Sequence, residues 1–437
     1  MAVSPPWLPL HRMTPWRESK LPPFNVICST ESDESVNRPS TTTSVERRCD
    51  RLDAMRPSAI REIHDMAQQL RREDPSRSLI PLHFGESDLG TPSFIVDAGC
   101  QALRSGAVYY EDNSGRSDLK EALTVHYRNH YGADLHSDQF VITCGATQAI
   151  ALAMLALLAP GDQVVLVTPC WPNLAESSRI GGAEVHELPL AFDETRRVFE
   201  LDFDRLREMV QQLDRPRMII VNSPSNPTGW VISSEQRKAL TELCRQWGLF
   251  LVSDEIYDRI VFGGELFCSA IAEPWDHMVV INGFSKTYCM TGWRVGYLIA
   301  ERQLALRMAR MQEFITSHAP SMAQVAAITA LRDGEEFVAS SLARYRTLRD
   351  LAENELSAIE NVTVAQTEGT FYLFFRIDPP GDSVAICKDF LQHAGVIVAP
   401  GNAFGADSDG WFRICFATQP DQLVKGIERM RDHLHGG

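Results

Sequence analysis

The sequence predicts an α/β protein, a mainly parallel sheet flanked by helices with a smaller α+β unit after it, and three observations predict it. Five short runs, Phe140 to Thr143, Val164 to Val167, Met218 to Val221, Phe250 to Val252 and Met278 to Ile281, are almost continuously apolar, as strands buried on both faces must be. Longer stretches with helical spacing stand between them, the alternation that parallel strands joined by crossover helices require. Beyond about Leu331 the texture changes. A long polar helical region, Glu335 to Ile359, leads to Phe371 to Ile377, Val396 to Val398 and Phe412 to Phe416, strand-like runs of a second unit.

From the N-terminus, residues 1–45 are rich in Pro, Ser and Thr (Pro5-Pro6, Pro22-Pro23, Ser40 to Ser44) and lack a sustained period, so a disordered or loosely ordered extension is expected. Residues 46–85 are expected to hold a helix, Ala59 to Arg72, and a segment joining the small domain. Its Ile60, Ile63, Met66, Ala67 and Leu70 fall on one face, and Asp74-Pro75 ends it. Residues 86–330 are expected to form the large domain and residues 331–437 the small C-terminal one.

Several classes of function are excluded by bulk properties. The 437 residues are too many for one small core. The formal charge of 42 − 57 = −15 sets the surface as a whole against phosphate backbones and anionic lipid, and no helix-turn-helix pattern precedes the body, so nucleic acid is not an expected partner. The longest apolar stretch, Ala149 to Ala159, falls short of the roughly 20 residues that span a bilayer. Ten cysteines without a Cys-x-x-Cys pair, and no signal-peptide pattern, suit reduced thiols in the cytoplasm. The twelve histidines are expected to hold no metal.

In open α/β sheets ligands collect at the carboxyl ends of the strands, and four motifs stand there. Thr143-Cys144-Gly145-Ala146-Thr147 joins a strand to an apolar helix beginning near Gln148. Small residues there let backbone N–H groups approach an anion at a helix N-terminus, although alone the motif reads more readily as an ordinary turn. In Asn222 to Gly229 two prolines fix the backbone and aim Asn226 inward. Asp254 ends the next strand, with Tyr257 three residues on. Lys286 follows Met278 to Ile281 and precedes the Gly-punctuated segment Met290 to Gly296. A lysine between two apolar segments is desolvated, which lowers its pKa from about 10.4 and frees the amine as a nucleophile.

These motifs occur in one order with Phe84-Gly85-Glu86-Ser87-Asp88-Leu89-Gly90-Thr91-Pro92 before them and Phe412-Arg413-Ile414-Cys415-Phe416-Ala417 after them. In that arrangement the chain, from about Arg51 to Leu434, resembles the class I/II aminotransferases, the aspartate-aminotransferase-like branch of fold type I enzymes dependent on pyridoxal 5'-phosphate (PLP). The resemblance implies a seven-stranded sheet in the large domain. It also implies a ping-pong transfer of the amino group from an α-amino acid to a 2-oxo acid. Lys286 would carry the cofactor as a Schiff base and then shuttle a proton. Asp254 would face the pyridine nitrogen, and Asn226 and Tyr257 the phenolic oxygen. Trp171 and Ile256 would pack on the two ring faces. Gly145, Ala146 and Thr147, with Ser285 and Arg294, would hold the phosphate. Arg413, assisted by Asn226, Trp171 and Gly85, would clamp the substrate α-carboxylate. Tyr110 would reach the phosphate of a neighbouring subunit, which implies a homodimer.

One departure stands out. Glu111 and Asp112 follow Tyr110 where many relatives have Pro and small residues. Directed into the pocket, they would favour a basic substrate side chain; otherwise they are solvated loop carboxylates. A PLP-dependent lyase, cyclase, racemase or oxidase would keep the same cofactor residues, so sequence at the cofactor leaves that alternative open.

Overall fold

The computed structural model describes residues 55–263, 267–273 and 275–435. The expected N-terminal extension, residues 1–45, lies outside the described residues. The first helix among the described residues, Ala59–Glu73, is capped by Ser58, whose side chain accepts from the Arg61 amide. Strands β1 (Ile80–Pro81), β2 (Phe140–Thr143), β3 (Gln163–Thr168) and β4 (Glu184–Pro189) follow, then a hairpin of β5 (Ala191–Asp193) and β6 (Val198–Glu200). Next come β7 (Pro216–Asn222), β8 (Phe250–Asp254), β9 (Met278–Gly283) and β10 (Gly296–Ala300). The last third holds β11 (Val362–Val364), β12 (Tyr372–Ile377), β13 (Val396–Ile397), β14 (Ala399–Pro400) and β15 (Trp411–Cys415).

The main sheet has seven strands in the order β2-β10-β9-β8-β7-β3-β4. Strands β4, β3, β7, β8 and β9 run parallel, whereas β10 is antiparallel to both β9 and β2. The apolar runs are explained by what covers them. Val165, Val167, Ile219, Val221, Leu251, Val280 and Ile299 enter one core cluster, while Val164, Leu166, Met218, Ile220, Val252, Val279, Ile281 and Leu298 enter another on the opposite face. Alternate residues of each strand point to opposite sides, so a sheet covered on both sides needs apolar residues at every position. Each such side chain, fully buried, contributes roughly 1.5–3 kcal/mol.

Register aligns the carboxyl ends. Asn222 pairs with Asp254, and Asp254 with Ile281, so the residues that follow three adjacent strands emerge along one edge. The second sheet is antiparallel, in the order β11-β12-β15-β14. A third core cluster joins Ile63, Ala67, Ile80 and Leu82 to Phe371, Phe375, Phe412 and Leu423, and β1 pairs with β13, Ile80 opposite Val396.

Three details differ from expectation. The helix after Gly145 begins at Ala146 rather than near Gln148, because Gly145, at φ +79°, serves as its N-cap. The single strand expected at Val396 to Val398 is split, with Val396–Ile397 pairing to β1 and Ala399–Pro400 to β15. Neither β4 nor β10 was anticipated. The first is an edge strand with mixed exposure, and the second runs on directly from the turn around Arg294.

Candidate active site

A cavity of about 550 Å³ opens at the carboxyl edge of the main sheet, and its wall includes Gly85, Ala146, Thr147, Trp171, Asn226, Asp254, Ile256, Tyr257, Ser285, Lys286, Arg294 and Arg413. The ends of five strands of the main sheet, the loop at Gly85 and the strand bearing Arg413 therefore meet where the sequence placed its chemistry. Gly145 stands directly behind that wall, where an added Cβ would lie 2.4 Å from Arg294 Nη2.

Lys286 is positioned by the turn leaving β9. Its Nζ donates to the Gly85 carbonyl at 2.7 Å, and desolvation pushes its pKa down from 10.5 to about 8. Asp254, at the end of β8, is 2% exposed. Its carboxyl is pushed up to about 7 by desolvation, against the opposing Ile256 N–H, which donates at 3.3 Å, and the opposing charge of Lys286. Such a carboxylate needs a cation in contact to stay ionised. Among the described residues none forms an ion pair with it.

Arg413, on β15, is 3% exposed. Nη1 donates to Asn226 Oδ1 at 2.8 Å and Nη2 to the His83 carbonyl, while its Nε is buried without a partner. Its Cζ lies 4.4 Å and 4.9 Å from the ring centroids of Tyr372 and Phe404. A guanidinium held so firmly, with no carboxylate partner among the described residues, is an anion-binding group.

The helix Ala146–Leu157 presents its first turn to the cavity with no side chain capping it, which leaves N–H groups for an anion. Arg294, at φ +55°, stands over that turn with Nη1 donating to Thr291 O at 2.7 Å and Nη2 to Cys144 O at 3.3 Å. Gly296 completes the close approach, since a Cβ there would meet Ala146 N at 2.6 Å.

Some site residues carried no signal in the sequence reading. The Tyr372 hydroxyl lies 2.6 Å from that of Tyr257 and would be 2.0 Å from a Cβ at position 85, which explains the need for Gly85. Asn222 donates from Nδ2 to Asp254 O at 3.1 Å and accepts the Asn226 N–H at 2.8 Å, tying the proline-rich turn to β8. Its place at the head of that turn was the available clue. Arg61, His83 and Phe84 also line the cavity.

Glu111 and Asp112 do not line this chain's own cavity. Arg116 Nη1 donates to Glu111 Oε1 at 2.6 Å, and Asp112 Oδ1 accepts the Ser114 N–H at 2.7 Å, so both are engaged within their own loop. His126 and His130, four residues apart on one helix, converge with Glu335, and Asp389 converges with His393 and His433. A cation already occupies the first group, with Arg259 donating to both Glu335 oxygens at 3.0 and 2.7 Å. Tyr110 is 90% exposed and meets only the edge of His318 among described aromatic rings; it does not line the cavity.

The residues present fit PLP. A depressed lysine, a buried carboxylate lacking a cation, and an uncapped helix terminus beside an arginine match its aldehyde, ring nitrogen and phosphate in chemistry. The family model for aminotransferase class I and II matches residues 77–430. A probable aspartate aminotransferase of Methanocaldococcus jannaschii is 32% identical over 88% of this chain and 98% of its own length. A Thermus thermophilus aspartate aminotransferase mutant structure superposes with a TM-score of 0.82 at 32% identity, covering 88% of this chain and 98% of that one. An alanine aminotransferase structure from Pyrococcus furiosus gives 0.83 at 26% identity, covering 90% and 100%. The chain belongs to the class I and II aminotransferases, with the fold type I architecture, and is a PLP-dependent aminotransferase.

Proposed function

We propose that Lys286, Asp254 and Tyr257 are the catalytic residues of a two-stage transfer in which an α-amino acid leaves its amine and a 2-oxo acid collects it at the same site. Bound PLP supplies an aldehyde that captures the amine and a ring that withdraws electrons from the substrate Cα. Lys286 Nζ, whose burial pushes its pKa down to about 8 so that the free amine is far more accessible near neutral pH than in an exposed lysine, would take the proton from Cα and return it on the other side of the exchange. Asp254 holds a proton at the ring nitrogen, a role that gives its buried charge the partner it lacks. Tyr257 and Asn226 would receive the phenolic oxygen, and Trp171 and Ile256 would pack against the ring. The first turn at Gly145, Ala146 and Thr147, with Ser285 and Arg294, receives the phosphate. Arg413 receives the substrate α-carboxylate, its fork fixed in advance by Asn226 and His83, with Gly85 and Trp171 beside it.

The observation that carries this reading is the meeting in one cavity of an amine, a carboxylate and a guanidinium that have no ion-pair partners among the described residues. Borohydride reduction of the PLP-saturated protein is expected to leave a pyridoxyl tag on Lys286. Incubation with an amino donor and no acceptor is expected to accumulate pyridoxamine phosphate. Release of ammonia, peroxide or an olefin instead would favour the lyase or oxidase alternative.

A homodimer forms part of the proposal, with Tyr110 reaching the neighbouring site. Val108, Tyr109 and Tyr110 are 65%, 78% and 90% exposed, three successive large side chains that a partner surface would cover. Sedimentation of the wild type and of Tyr110→Ala tests it. The division into a large domain, 86–330, and a small one, 331–437, supplies two bodies that can close on substrate. A cytoplasmic location is in keeping with the described cysteines, all of which are free; no described helix is long and apolar enough to cross a membrane.

A further inference from the structure

We propose that Asp389, His393 and His433 form a binding site for a divalent first-row metal ion, Zn²⁺ foremost, and that the metal ties the last helix of the chain to the segment before β13. The three side chains come from two elements. The helix Ser383–Asp389 runs into one wide turn, Phe390–Ala394, whose i→i+5 bonding is rare and recurs at functional positions. Phe390 and Leu391 of that turn are buried, which leaves Asp389 and His393 to face outward together. On the C-terminal helix, Pro420–His435, the residues Leu423, Ile427 and Met430 face the core. His433 follows Met430 by one turn and stands at the border of that face, where its ring meets the Phe390 ring edge-on with centroids 6.0 Å apart.

The donor atoms already converge. His393 Nδ1 lies 2.8 Å from Asp389 Oδ1, and His433 Nε2 lies 2.5 Å from Asp389 Oδ2. The two imidazole rings are parallel within 4°, with centroids 5.8 Å apart, and one ligand atom from each residue falls within 4.8 Å of the other two. Around a tetrahedral ion with bonds of about 2.0–2.1 Å, ligand atoms stand roughly 3.3–3.4 Å from one another. Small rotations of these partly exposed side chains reach that spacing. Each imidazole then offers a lone pair where it now directs a proton, the proton passing to the far ring nitrogen or to water, and a water molecule takes the fourth position.

The other histidine cluster shows what a group with no need of a metal looks like, because Arg259 already neutralises Glu335 beside His126 and His130. Among the described residues Asp389 has ion pairs only with His393 and His433, and the adjacent Lys388 is engaged by Glu62 at 2.6 Å. An imidazole, unlike a guanidinium, sheds its charge readily near neutral pH, so this carboxylate keeps room for a dication. Two nitrogen donors to one carboxylate suit Zn²⁺, Ni²⁺ or Cu²⁺ better than Mg²⁺ or Ca²⁺, which take oxygen. None of the three residues lines the active-site cavity, so the metal acts as a staple between two elements and takes no part in the amino transfer.

The test uses the PLP-loaded protein, stripped of metal by a chelator, with ZnCl₂ alone as the probe in a non-coordinating buffer. Calorimetry is expected to find a zinc site that His393→Ala and His433→Ala each weaken by about a hundredfold, that His130→Ala leaves intact, and that MgCl₂ does not fill. Zinc should raise the Tm of the wild type by about 2–4 °C and leave that of His393→Ala/His433→Ala unmoved, with kcat for transamination the same in all of them. The His393 side chain is 61% exposed, so its replacement is read on folded protein. Zinc bound by the cofactor phosphate or by other histidines is the signal that persists in the double variant. No zinc binding by the wild type, binding that both single variants retain undiminished, or a Tm that responds to the substitutions but not to zinc would overturn the inference. The last result would leave the three side chains as a hydrogen-bonded link alone.

Discussion

The two ends of the cavity are built by different means. At the inner end Asp254 and Arg413 are 2% and 3% exposed; Asp254 is held by its register opposite Asn222 of the next strand, and Arg413 by bonds to the His83 carbonyl and Asn226. At the outer end Arg61 stands in water on a helix, resting on one ring. Charges shielded from solvent act strongly on their neighbours, and charges in water act weakly. A group at the inner end is therefore held strongly, and one passing the outer end weakly.

Removing the inner groups gives the largest expected effects. Lys286→Ala should lower the rate of the first half-reaction by about 10⁴-fold, read by single-turnover kinetics on cofactor-loaded protein; a loss of only a few fold would break the contrast between the two ends. Asp254→Asn keeps shape and removes charge, and it should cost on the order of 10²–10³-fold in kcat. The pH dependence of cofactor capture sharpens the same point. Desolvation disfavours the ammonium, so the free amine of Lys286 appears at lower pH than an exposed lysine would allow. Stopped-flow capture of PLP by the apo-protein should rise about tenfold per pH unit and level off near pH 8 rather than 10.5. Gly145→Ala places a side chain at φ +79°, 2.4 Å from Arg294 Nη2. It should weaken PLP binding by about tenfold, read by fluorescence titration, with less effect on the turnover of protein already loaded. The smallest effect is expected away from both ends. Ser233 caps the helix Ser234–Trp247 in a reciprocal capping box with Gln236, and Ser233→Ala should cost about 1 kcal/mol in denaturant unfolding with kcat unchanged.

The inner end was largely legible in the sequence because a strand buried on both faces announces itself, and the residue that follows it is fixed by chain connectivity. The positions of Asp254 and Lys286 needed no more than that, while their roles came from the family resemblance. The outer end was not. Arg61 reaches the cavity only because Ile63 and Ala67 of its helix pack with Ile80 and Phe412, a contact across hundreds of residues with no local trace. Tyr372 was hidden for the same reason, inside a strand that read only as core. Glu111 was unreadable because a local charge does not reveal which way it turns, and Arg116, five residues later, captures it. The strand β4 escaped notice because an edge position tolerates Glu184, His186 and Glu187 within a strand, and the pair His126 and His130 was passed over although its spacing is written in the chain.

Lys286 and Arg294 both belong to the connection between β9 and β10, which pair from Gly283 with Gly296 through Val279 with Ala300. A hairpin fastened along its whole length into a central sheet has no freedom to spread. Lys286 and Arg294 are thus mounted on a single rigid bracket, and whatever the two hold in common keeps a fixed seat relative to the sheet.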